Sequence, residues 1–185
     1  MSRYTQLIQI ARELNPRVIL EVGTWRGDRA LGMLHACPKA RYVGFDLFGD
    51  ATDETDKVEF NVKAHYPVQA IAAKLADFDA ELIVGNTRQT LPEYVKGKEP
   101  FVDLAFIDGG HSVETIRSDW GNVEKIMLLG SLVVFDDFYS NLPVERINIV
   151  GCNRVLEALE RPYKLLPARD WVVGGGLVQM ATIEL

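Results

Sequence analysis

Two stretches of the chain put acids and an imidazole where chemistry is usually done. Residues 101–111 read F-V-D-L-A-F-I-D-G-G-H, an apolar run that ends in Asp108, two glycines and His111. Residues 130–137 repeat the pattern, G-S-L-V-V-F followed by Asp136 and Asp137. An apolar run without alternation is the pattern of a strand buried on both faces. In open α/β sheets, ligands collect beyond the carboxyl ends of such strands. If the two strands are neighbours, three carboxylates and one imidazole meet at a single edge. Clustered carboxylates repel one another unless a cation or protons neutralise them, and a hard divalent ion such as Mg²⁺ takes oxygen ligands and keeps several waters. A histidine beside such a site, with an ordinary pKa near 6.5, suits a general base that works near neutral pH. The competing readings are local: acids that cap the following turn, and a helix-start histidine hydrogen-bonded to an aspartate.

A third stretch, Glu21-Val-Gly23-Thr-Trp-Arg-Gly27, joins an apolar strand to a helical pattern. Glycines there let the backbone approach a ligand, and the helix N-terminus offers free N–H groups. The spacing is E-x-G-x-x-x-G, whereas a dinucleotide fingerprint is G-x-G-x-x-G. The acid at the strand end would repel a pyrophosphate and attract an ammonium group. That favours a cationic, phosphate-free cofactor over a nicotinamide dinucleotide. Asp46 ends the next strand, about 20 residues on, where an acid can accept both hydroxyls of an adenosine ribose. Asn86 and Thr87, after the third strand, are placed to contact an adenine edge, or equally to start the next helix. His35 and His65 lack comparable partners in the sequence and read as structural or exposed.

The elements that must position these residues follow from periodicity. Tyr4, Leu7, Ile8, Ala11 and Leu14 share one helical face over residues 2–14, and Asn15-Pro16 stops that helix. Strands are expected at 17–22, 42–46, 81–85, 101–107, 130–135, 163–166 and 177–183, the last pair around a Gly174-Gly175-Gly176 turn. Helices are expected at 28–37, 68–78, after Thr87, and from Val113 to Met127, with Ser112 as cap and Gly130 as terminator. Residues 144–160 read mostly as helix with an interruption at Val150-Gly151. Residues 47–66, acidic and then alternating at Val58, Phe60 and Val62, read as a lid or excursion. Alternating strands and helices at this spacing predict a doubly wound, Rossmann-like α/β fold. It comprises a seven-stranded, mostly parallel sheet with helices on both faces, in one domain over residues 1–185.

Composition limits the partners. The chain of 185 residues carries a formal net charge of −6 and has no Lys/Arg cluster, which argues against nucleic acid or an anionic membrane surface. The apolar runs are strand-length, too short to span a bilayer, and the N-terminal residues lack a secretory-signal pattern. Two cysteines, Cys37 and Cys152, stand far apart without a C-x-x-C pairing, so a reduced, cytoplasmic protein without structural zinc is expected.

Taken together, Glu21 to Gly27, Asp46 and an acid ending the fourth strand resemble a class I S-adenosylmethionine-dependent methyltransferase. I-D-G-G-H-S-V-E-T followed by L-V-V-F-D-D-F is similar, more narrowly, to the macrocin O-methyltransferase and cephalosporin-hydroxylase-like group of small-molecule methyltransferases. The similarity runs over roughly residues 15–183. It departs from the general pattern at Trp25, where many methyltransferases carry glycine. The resemblance implies S-adenosylmethionine held by Glu21, Gly23, Gly27, Asp46, Asn86, Thr87 and Asp108. It also implies a divalent metal, Mg²⁺, at Asp108, Asp136 and Asp137, with Asp108 and His111 catalytic. The expected reaction is metal-assisted O-methylation of a hydroxyl on a small molecule: a sugar, polyketide or phenol. With no large extra domain to hold substrate, loops or a partner subunit must do so, and a homo-oligomer is one outcome. Two other readings stay open: a metal-dependent oxygenase, disfavoured because no second histidine accompanies His111, and a cofactor-binding module without turnover.

Overall fold

The structure is a computed structural model that describes residues 1–171 and 176–185. Seven strands form one sheet: β1 (Val18–Val22), β2 (Arg41–Asp46), β3 (Ala80–Val84), β4 (Val102–Ile107), β5 (Met127–Ser140), β6 (Lys164–Trp171) and β7 (Leu177–Glu184). Their order across the sheet is β3-β2-β1-β4-β5-β7-β6. The first five run parallel. β7 is antiparallel to both of its neighbours. The expected doubly wound, seven-stranded architecture is therefore present, as a mixed and mostly parallel sheet. Its order reverses between β1 and β4, and a crevice forms at such a switch point.

Helices cover both faces because the central strands are apolar on both. Helices α1 (Arg3–Leu14), α2 (Asp28–Ala36) and α4 (Val68–Lys74) pack Leu7, Ala11, Met33, Leu34 and Ile71 against Ile19, Leu104 and Phe106. On the opposite face lie α5 (Thr87–Val95), α6 (Val113–Val123) and α8 (Asn153–Glu157). They pack Leu91, Ile116, Trp120, Val123, Val155 and Leu156 against Leu20, Val22, Phe45 and Phe135. Ser2 caps α1 and Ser112 caps α6, each accepting the N–H three residues on.

Several expectations needed correction. α6 ends at Val123 and a short 3-10 turn follows, so Gly130 does not terminate that helix but lies inside β5. β5 also does not stop at Phe135. It continues to Ser140, with its register against β7 shifting between Phe135 and Phe138. This bulge contains Asp136 and Asp137, and Asp137 takes a positive φ of 61°. An extra residue in one strand turns neighbouring side chains to different directions. Within the 47–66 stretch, read as a lid or excursion, α3 (Asp53–Val58) precedes an irregular segment. Residues 144–160 are broken as expected, into α7 (Val144–Ile147) and α8. Of the expected glycine turn, Gly174 and Gly175 lie outside the described residues.

Candidate active site

Beyond the carboxyl ends of β1, β2, β3 and β4 opens a cleft whose walls include Gly23, Trp25, Arg29, Asp46, Asn86 and Thr87, with Asp108 and His111 at its inner end. The 53–66 segment forms the outer wall through Glu54, Asp56, Glu59, Asn61, Lys63 and His65. It is tied to the β1–α2 loop. The Trp25 indole N–H donates to the Ala64 carbonyl at 2.8 Å.

The β1–α2 loop is shaped by Gly23, whose φ is +93° and where a Cβ would collide with the Asp108 carbonyl and Gly109. Only glycine lets this loop pass so close to the end of β4. Asp46 anchors the same loop: its two carboxylate oxygens accept the backbone N–H groups of Trp25 and Phe48, each at 2.7 Å. Asn86 accepts the Arg88 N–H and starts α5, leaving its amide beside the cleft. Gly27 caps α2 in the left-handed conformation and does not line the cleft.

Glu21 lies beneath the cleft rather than on its wall. It is fully buried and bonded by Arg29 Nε at 3.0 Å and by the Tyr42 hydroxyl. Burial raises its pKa to about 7 against the pull of Arg29 and Tyr42. Its charge is taken up by Arg29, a residue that sequence reasoning missed. Arg29 also donates to the Gly23 carbonyl and pairs with Asp108 at 2.8 Å, so one buried guanidinium ties the glycine loop to β4. A lone arginine in an amphipathic helix carries no sequence signal for such a role.

The acids at β4 and β5 converge, although in a different set from the one expected. Asp108, His111 and Asp137 each offer a ligand atom, and these atoms lie within 4.8 Å of one another. Asp136 is turned away by the bulge. Its carboxylate is bonded by Arg3 of α1 and accepts the Asp137 N–H at 2.8 Å, while its Oδ2 has no hydrogen-bond partner among the described residues. Burial, then the neighbouring Asp108 and Asp137, pushes the Asp136 carboxyl well above the usual range. Burial also raises Asp137, against the opposing pull of His111. Arg3 additionally bonds Asp170 at 2.9 Å, so α1 stitches β5 to β6.

His111 shows what the cluster lacks. Its Nδ1 lies 3.1 Å from the Glu59 backbone carbonyl and its Nε2 lies 3.3 Å from Asp137 Oδ2. A carbonyl only accepts, so this contact is a hydrogen bond when Nδ1 carries the hydrogen. In a neutral ring, Nε2 then faces Asp137 lone pair to lone pair. A proton or a cation between them resolves that contact, which is the behaviour of a proton-handling or metal-holding pair.

His65, by contrast with expectation, has a partner. Its Nε2 lies 2.8 Å from Asp56, which Asn61 also bonds at 2.9 Å. The turn after α3 folds residues nine apart onto each other, a contact that no periodicity announces. His65 and His111 both line the cleft, yet no group of potential metal ligands among the described residues contains two histidines.

A family model described as a methyltransferase domain matches residues 20–138, which run from within β1 into β5 and include every residue of the acid–histidine cluster. The chain belongs to this methyltransferase-domain family. Solved structures share the fold of the methyltransferase domain at low sequence identity. An O-methyltransferase, TomG, from Streptomyces achromogenes in complex with SAM is 19% identical, with a TM-score of 0.69 over 98% of this chain and 79% of that one. An O-methyltransferase from Bacillus cereus in complex with SAH is 17% identical, with a TM-score of 0.66 over 98% of this chain and 80% of that one. A TDP-rhamnose 3'-O-methyltransferase of calicheamicin biosynthesis is 20% identical, with a TM-score of 0.62 over 97% of this chain and 77% of that one. No curated protein sequence matches the chain. Among the described residues, no helix is long and apolar enough to cross a membrane.

Proposed function

We propose that this methyltransferase domain transfers the methyl group of S-adenosylmethionine to a hydroxyl oxygen of a small acceptor. The observation that carries the reading is the meeting of Asp108, His111 and Asp137 at the inner end of a cleft walled by Gly23, Asp46, Asn86 and Thr87. S-adenosylmethionine supplies a methyl group on a sulfonium, ready for displacement by an oxygen nucleophile. Asp46, already fixed by two N–H groups, presents its remaining lone pairs to ribose hydroxyls. Asn86 and Thr87 border the adenine. Gly23 leaves room for the amino-acid end, and Arg29 faces the carboxylate there, held in place by Glu21. Gly27 shapes the turn that presents α2.

His111, with its hydrogen on Nδ1, offers Nε2 as the base that removes the acceptor's proton. Asp108 and Asp137 offer carboxylate oxygens for a divalent ion. Mg²⁺ held by two carboxylates with waters in the remaining positions suits that donor set. Such an ion, when bound, lowers the pKa of a nearby hydroxyl. Asp136 joins that set only if Arg3 gives way. Much of the rate comes from holding acceptor and donor in one orientation.

Thermal unfolding with S-adenosylhomocysteine, in Mg²⁺ and again in EDTA, tests both parts. Ligand at a hundredfold over its Kd adds about 2.7 kcal/mol if it binds only the folded state. For a chain of this size that is roughly a 5–10 °C rise in midpoint. No shift at saturation removes the methyltransferase activity, and an identical shift in EDTA removes the metal's coupling to the cofactor.

A further inference from the structure

We propose that Glu59 is a positioning residue, one that selects the ring nitrogen His111 presents to the acid cluster. The inference rests on the reading of His111 as the base of the proposed reaction, and its structural part can be measured without turnover.

Glu59 closes α3 in the outer wall of the cleft, 52 residues before His111. Its side chain reaches across to the start of α6. Oε2 accepts the Ser112 N–H at 3.0 Å, and Oε1 accepts the Thr115 hydroxyl at 2.6 Å. These bonds satisfy helix N-terminal donors and place a negative charge where the helix dipole favours it. The fit leaves no slack. A Cβ at Gly110 would collide with Glu59 Oε2, so the second glycine of the D-G-G-H stretch is the space that this carboxylate fills. With the side chain pinned on α6, the backbone carbonyl of the same residue sits 3.1 Å from His111 Nδ1.

A carbonyl on one ring nitrogen dictates the role of the other. With Nδ1–H donating to Glu59, the lone pair is on Nε2, which points at Asp137 and lies among the atoms that converge with Asp108. If the carbonyl were released, the hydrogen would be free to move to Nε2, and that nitrogen could then neither take a proton nor approach a cation. Outer-shell partners that fix an imidazole tautomer in this way are worth about 10–100-fold in activity or metal affinity. The outer segment therefore does more than cover the cleft: through a single residue it also sets which nitrogen His111 presents.

The test uses the whole chain labelled with ¹⁵N at histidine. Two-bond ¹⁵N–¹H spectra at pH 9 separate the tautomers, and His111→Asn identifies the signals among the three histidines. Wild type is expected to show a single Nδ1–H form for His111. Glu59→Ala should show a mixture of tautomers. It should also lower kcat by about 10–100-fold, with KM for the acceptor and affinity for S-adenosylhomocysteine changed less than threefold. Glu59→Gln, which keeps an oxygen for the Thr115 hydroxyl, should recover most of both effects. Thr115→Val, an isosteric change that removes one anchor, gives the same readout in a milder form if Glu59→Ala does not fold. A pure Nδ1–H signal in both Glu59→Ala and Thr115→Val overturns the proposal, as does wild type with Nε2 protonated and Nδ1 bare. Failure of S-adenosylhomocysteine to bind wild type would instead overturn the methyltransferase activity and leave the tautomer result standing.

Discussion

Asp119→Asn should remove a pH dependence that the fold imposes on this chain. Asp119 stands in α6, one turn beyond Thr115. It is fully buried, and neither carboxyl oxygen has a hydrogen-bond partner among the described residues. Burial lifts its pKa from the usual carboxylate range to about 7; the nearby Thr87 side chain lowers it, Glu59 raises it and Arg88 lowers it. The unfolded chain returns the group to about 3.9. Because the folded value is the higher one, the native state holds a proton that the unfolded state releases. The contribution is therefore fully present below pH ~4 and is lost as pH rises through about 7. Three pKa units at 1.36 kcal/mol each give a total loss of about 4 kcal/mol. Between pH 5 and pH 8 the loss is about 2.5 kcal/mol, or roughly 5–10 °C in midpoint. Asparagine is isosteric and does not titrate, so any cost it brings is independent of pH. Glu21, raised to about 7, and the raised Asp136 and Asp137 destabilise both proteins alike as pH rises. They largely cancel in the difference. Urea unfolding of both proteins from pH 5 to pH 8 should show the variant gaining on wild type by that amount. Curves that stay parallel within about 0.5 kcal/mol would mean that Asp119 is already ionised in the folded state at pH 5, and the argument from burial would be refuted.

Asp137→Ala should abolish methyl transfer while leaving the affinity for S-adenosylhomocysteine nearly intact, measured by isothermal titration; equal loss of both would assign Asp137 to folding. Gly23→Ala should cost about 3 kcal/mol, from strain at a positive φ and from overpacking against the Asp108 carbonyl. It should also weaken S-adenosylhomocysteine at least tenfold, since the loop it displaces walls the cleft. A change below about 0.5 kcal/mol in urea with unaltered affinity would show that the loop has room to move.

The methyltransferase fold was legible because its signals are local. Buried parallel strands announce themselves as continuous apolar runs, and Pro16 and Ser112 mark where elements stop or start. Strand alternation with helices then leaves little freedom in topology, so the sequence alone places Asp46, Asn86, Asp108 and His111 at one edge. What failed to read was contact between distant segments. That Arg3 takes Asp136 out of the acid cluster depends on a helix 133 residues earlier in the chain and on a bulge that splits Asp136 from Asp137. That Glu21 spends its charge on Arg29 depends on how α2 lies over β1. The His65–Asp56 pair and the reach of Glu59 to α6 depend on an irregular segment with no period to detect. By itself, the sequence determined where the first four strands end, to within a residue, and which chemical groups gather there, because backbone pattern and burial are properties of short windows. Only the tertiary structure decided which of those groups neutralise one another and which remain free to act, because charge pairing in a buried site is set by whatever side chain the fold brings within a few ångströms.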